Sequence, residues 1–201
     1  TGSVMSRYLK PADAGGLAWP AITPLLMIPI VGNVLVPLAG LQWPVSGWVS
    51  AQFGLGLFLW PLVVGLLLVR LVQAGPLPAR MTPTLFILVA PPSAIGLALL
   101  QWSAPLVSVW ACWGVALMSL LWALSQWRLI ARLPFGMPHW GMSFPLAAFS
   151  ALCLKLGQTP EGGWLLPAGQ LAVGITTLVI LWLSIKSLQG LLNGHLLQPE
   201  G

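Results

Sequence analysis

The fold this sequence predicts is an all-α, polytopic membrane bundle, and three observations predict it. Six apolar segments of about 20 residues follow one another, the length an α-helix needs to cross a hydrocarbon core about 30 Å thick. Charge is scarce: 8 Lys and Arg and 3 Asp and Glu in 201 residues, 5% against roughly 25% in an ordinary soluble domain. The hydrophobic fraction is 58% and the mean hydropathy +0.92. A soluble fold would lack the charges to cover its surface, and a membrane β-barrel would alternate apolar with polar residues where these runs are continuous. Helices remain, because lipid offers unpaired backbone groups no partner.

The spans read in order as Ala21–Leu41, Val49–Val69, Thr82–Leu100, Ala104–Leu124, Pro134–Leu154 and Trp164–Ile185. The first holds Pro29 within Met27-Ile28-Pro29-Ile30-Val31-Gly32-Asn33, the third Pro91-Pro92, and the fifth Pro145, each near mid-span. The second, fourth and sixth are long runs of Leu, Val and Trp, although Pro61 in the second disturbs the alternation. Trp19, Trp43, Trp48, Trp102, Trp127, Trp140 and Trp164 fall near span ends, as an interfacial aromatic belt requires. Residues 1–20 form an N-terminal segment, 21–185 the transmembrane bundle and 186–201 a C-terminal tail. The opening Thr1–Gly16 has no apolar core of signal-peptide length. It also does not begin with Met, which suits a fragment or a trimmed product.

Basic residues set the orientation. Arg7 and Lys10 precede span one, Arg70 and Arg80 lie between two and three, Arg128 and Arg132 between four and five, and Lys186 follows six. The opposite side has Lys155 and Glu161. The positive-inside rule therefore puts both ends in the cytoplasm, with the bundle in the cell (inner) membrane. The net charge of +5 is this signal plus attraction to anionic lipid, with no nucleic-acid signature.

A mid-span proline removes a backbone bond and kinks a helix, and the freed carbonyls must then face protein or a watery cavity. Three such prolines in alternate spans, all running outward from the cytoplasm, suggest three repeated hairpins. The Pro-kinked helices would stand inside, around a common axis, with the even helices facing lipid. Proline is also simply commoner in membrane helices than in soluble ones.

Enzyme chemistry has little support. His139 and His195, the two histidines, lie near or beyond span ends, and no HExxH pair, Gly-x-Ser-x-Gly elbow or metal spacing occurs. Cys112 and Cys153 read as small buried hydrophobes within spans four and five, and no cofactor is implied. Asp13, Glu161 and Glu200 all fall outside the spans, so no intramembrane carboxylate marks a proton relay.

At Trp140-Gly141-Met142-Ser143-Phe144-Pro145-Leu146 the chain resembles the slow-type anion channel family. That family includes the bacterial tellurite-resistance channel homologue and the malate and C4-dicarboxylate transporters of fungi. Ile28-Pro29 with Asn33 is similar to its fifth helix, and Ile87-Leu88-Val89-Ala90-Pro91 to its seventh. The resemblance implies ten helices in five hairpins around a pore, a homotrimer with one pore per subunit, and Phe144 as an aromatic gate. This chain would supply the last three hairpins. The implied function is passage of small inorganic or organic acid anions, with a non-conducting scaffold or a proton-coupled dicarboxylate or sulfite exporter as alternatives. Pro29, Asn33, Pro91, Pro92, Ser93, Ser143 and Pro145 are the candidate pore-lining residues. Asn33 serves equally as interhelical glue, Ser143 as a bond to its own helical turn, and Phe144 as a packing residue.

Overall fold

The computed structural model describes residues 22–39 and 46–193. Arg7, Lys10, Asp13, Trp19, Trp43, His195 and Glu200 lie outside the described residues, as do residues 1–21 and residues 194–201 of the C-terminal tail. The described elements are helices throughout: α1 (Met27–Ala39), α2 (Gly47–Ala74), α3 (Ala90–Gln101), α4 (Leu106–Ser125), α5 (Ser143–Gly157) and α6 (Leu165–Leu192), with a short turn of helix at Trp127–Ile130. Stretches of 3-10 helix lead into three of them: Pro24–Leu26 into α1, Ala79–Val89 into α3 and Met137–Met142 into α5. Counting these lead-ins, five helices are long and apolar enough to cross a membrane, and Pro24–Ala39 is a shorter apolar helix. Six full spans were expected. Of the expected Ala21–Leu41, residues 24–39 are helical, 22 and 23 precede the helix, and 21, 40 and 41 are outside the described residues.

The boundaries follow local chemistry. The Ser46 hydroxyl caps α2 by accepting from the Val49 N–H at 3.3 Å, satisfying one of the first-turn donors. Nothing stops α2 until Gly75, whose φ of 72° only glycine adopts cheaply, followed by Pro76. Arg70, read from sequence as lying in the connection after span two, is therefore inside the helix. It is 2% exposed, and its guanidinium turns back to donate to the Gly75 carbonyl.

Spans one, three and five (the proline-bearing spans, although α2 and α6 also contain Pro61 and Pro167) share one construction: a 3-10 stretch runs into an α-helix with proline in its first turn. Pro29 is the third residue of α1, Pro91 and Pro92 are the second and third of α3, and Pro145 is the third of α5. In the first turn of an α-helix a missing N–H costs nothing, since that donor has no intrahelical partner. Continuing the α-helix backwards would ask Pro91 to donate to the Ile87 carbonyl and Pro145 to the Gly141 carbonyl, and neither has a proton to give. A 3-10 register solves this by drawing the donor one residue earlier. Ala90 N–H donates to the Ile87 carbonyl, Ser143 N–H to Trp140 and Met27 N–H to Pro24. What the structure has just before each proline is thus a change of helix type.

Consecutive helices pack together as α1 with α2, α3 with α4 and α5 with α6, while α3 also touches both α1 and α5. Burial separates two kinds of helix. In an apolar 18-residue stretch of each helix, 83% of residues are buried in span three and 50% in span five, against 17% in α2, 17% in α4 and 11% in α6. The inner cluster joins Met27 and Ile30 of α1 to Phe86 and Leu88 of the long 3-10 stretch, Met142 of span five, and Leu67 and Leu183 of the outer helices. Lipid tails are as apolar as these side chains, so close packing and hydrogen bonds hold such helices together. A Cβ on Gly56 would stand 2.6 Å from Val34 Cγ1, and one on Gly169 2.9 Å from the Leu154 amide nitrogen. Those two glycines let α2 and α6 lie directly on their inner neighbours. Polar ties add to this: Ser150 with Thr176 at 3.1 Å, Trp113 Nε1 to Cys153 Sγ at 3.3 Å, and Gln101 Nε2 to the Pro37 carbonyl near the end of α1 at 2.9 Å.

Candidate functional site

A cavity of about 520 Å³ opens between the proline-bearing spans. Span one contributes Leu25, Ile28, Val31, Gly32 and Leu35, span three Thr84, Ile87 and Ala90, and span five Met137, Pro138, Trp140, Gly141, Phe144 and Pro145. No residue of α2, α4 or α6 is in this wall. The spacing has a local cause. Thr84, Ile87 and Ala90 recur every third residue, because side chains at i and i+3 eclipse in a 3-10 helix. Span one recurs at three to four, the α period, while span five recurs at three within its own 3-10 stretch, Met137 to Trp140 and Pro138 to Gly141, before Phe144 and Pro145 of α5.

The sequence candidates divide. Phe144 and Pro145 line the cavity, with Phe144 41% exposed and Pro145 buried behind it. Pro29, Asn33, Pro91, Pro92, Ser93 and Ser143 are outside its wall. Three of these use their polar atoms on their own helices. Asn33 Nδ2 donates to the Pro29 carbonyl at 2.9 Å, the Ser93 hydroxyl to Val89 at 2.8 Å and the Ser143 hydroxyl to Trp140 at 2.8 Å. Ile28, Gly32, Thr84, Ile87 and Trp140 are wall residues that sequence reasoning did not single out as pore-lining. A three-residue period read back from Ala90, next to Pro91, through Ile87 and Thr84 was the available signal.

Electrostatically the wall is bare. It has no charged side chain, and only Thr84 and Trp140 carry a hydrogen-bonding group. Both donors are occupied: the Thr84 hydroxyl donates to the Met81 carbonyl at 2.6 Å and the Trp140 indole to Ser187 Oγ at 2.9 Å. Among the described residues no cluster of His, Cys, Asp or Glu is placed to hold a metal ion. Such a surface offers no side-chain charge to hold an ion and no ionisable group to relay a proton. It excludes charge by its apolarity and admits a solute only when wide enough to stay wet.

Apolar spanning helices, sorted into an inner set around a cavity and an outer set facing outward, define a multi-pass membrane protein. The family model described as voltage-dependent anion channel matches residues 4–188, and the chain belongs to that family. Two curated relatives, both described as uncharacterized transporters of Methanocaldococcus jannaschii, are 28% and 27% identical over 143 residues. Each match covers 63% of this chain, and 41% and 42% of the respective relative. The chain therefore spans less than half the length of the curated relatives it matches. No solved structure matches it.

Proposed function

We propose that this chain forms part of the wall of a transmembrane pathway for small inorganic or organic acid anions, gated by Phe144. The single observation that carries the reading is that every wall residue of the cavity comes from the three proline-bearing spans. Membership of the anion-channel family supplies the class of solute. The inner helices face the pathway, the outer helices face lipid, and further helices complete the ring, in a trimer with one pathway per subunit. Both ends of the segment are cytoplasmic, and the basic residues there attract anions to the mouth. The uncharged wall favours passive flux over a proton-coupled carrier, which would need an ionisable relay. Current through planar bilayers containing the full-length protein tests the reading, with different anions on the two sides. Reversal potentials should follow the anions; a cation-selective reversal would refute it, and a silent bilayer would favour the scaffold.

A further inference from the structure

The outermost helix reaches inward at two places, and both contact the stretch that leads into Phe144. Trp182 of α6 lies edge-on to Phe135, centroids 5.8 Å apart, and 6.0 Å from the buried His139 ring. One turn further on, Ser187 Oγ accepts the Trp140 indole N–H at 2.9 Å. Of the other hydroxyls in α6, Thr177 donates to Val173 and Ser184 to Ile180, both at 2.9 Å, while Thr176 meets Ser150 of α5 at 3.1 Å, away from the cavity wall. Ser187 differs in that the side chain it holds, Trp140, is part of the cavity wall.

We propose that Ser187 is a positioning residue for the pathway: it fixes the Trp140 indole in the cavity wall, so that the end of α6 sets the width at the entry to span five. The inference rests on the anion-pathway reading for its meaning, and on the Trp140–Ser187 bond for its geometry. A half-buried indole N–H seeks a partner. With Ser187 in place the ring has one preferred setting. Without it the indole is free to leave the wall or swing into the cavity beside Met137 and Gly141.

The test uses the full-length protein with Cys112 and Cys153 replaced by Ala and a reporter at Met137→Cys. The modification rate by a small charged thiol reagent is measured alongside single-channel conductance and melting temperature. Ser187→Ala should change rate and conductance roughly fivefold, the population shift worth one neutral hydrogen bond, with the melting temperature close to parental. Ser187→Thr keeps the oxygen and should restore both. Trp140→Phe should reproduce Ser187→Ala, and the double variant should add nothing, as residues acting through one bond are non-additive. Parental rate and conductance in Ser187→Ala, or additive effects in the double variant, would overturn the proposal. A changed modification rate in a protein without anion current would keep the positioning role and remove the anion pathway.

Discussion

Truncating Phe144 separates a gate from a packing residue, and the structure sets the size of each effect. Replacing a fully buried Phe with Ala costs about 3–5 kcal/mol. Phe144 is 41% exposed toward a cavity, so the loss falls to about 2 kcal/mol, since much of the ring already lacks neighbours. The variant should therefore fold and insert. A benzene-sized void is about 150 Å³, so losing the ring enlarges the 520 Å³ cavity by roughly a quarter. In an uncharged bore that gain acts directly on wetting, and conductance should rise. Phe144→Leu, retaining most of the bulk, should raise it less. The assay is single-channel conductance of the full-length protein, with expression and melting temperature measured on the same preparations. A well-folded Phe144→Ala protein with parental conductance refutes the gate. Poor folding with no added current shows the ring to be packing.

Gly32 lines the cavity and a Cβ there meets nothing within 4 Å, so Gly32→Phe should express normally yet reduce anion current; unchanged current would place the pathway elsewhere. Gly56→Leu has no such room beside Val34 and should lower stability by about 1–3 kcal/mol, read as a lower melting temperature in detergent, while Gly54→Leu, in open space, should not. Arg70 is buried with a single backbone partner and an unpaired Nε. Replacing an ill-compensated buried charge with a well-packed apolar group is often neutral or stabilising, so Arg70→Met should keep or raise the melting temperature, and a marked drop would show a partner for the charge. A single cysteine at Gln158 should label with an impermeant thiol reagent on intact cells, and one at Arg132 only after the cells are permeabilised; the reverse pattern overturns the topology.

The helical class and the two kinds of span were legible because they rest on composition and on where proline falls. Leu67 was not: it sits in a run of leucines that sequence alone assigns to lipid, yet it is 4% exposed on the inner face of α2, aligned with Phe53, Gly56 and Arg70. In a uniformly apolar helix the hydrophobic pattern cannot distinguish protein from lipid; small residues and buried polar ones can. Thr84 and Ile87 escaped for a different reason. A helical wheel at 100° per residue scatters them, and only the 3-10 period aligns them with Ala90 on one face. Ser93 and Asn33 looked like pore dipoles by residue type, but nearby carbonyls on their own helices already hold their donors. Local backbone competition of this kind is visible only once helix register is known.

The eleven residues of 3-10 helix at Ala79–Val89 also settle a question of reach. A 3-10 helix rises about 2.0 Å per residue against 1.5 Å for an α-helix, so the 23-residue Ala79–Gln101 extends about 40 Å. The 28-residue outer helices α2 and α6 each extend about 42 Å. Wound entirely as α-helix, span three would measure about 35 Å and fall short of both. The stretched winding lets a shorter inner segment match the full thickness of the membrane, including its headgroup layers. Bilayer thickness thereby becomes a variable that bears on the helix type of the inner wall: a thinner membrane relaxes the demand for the extended form, and a thicker one reinforces it.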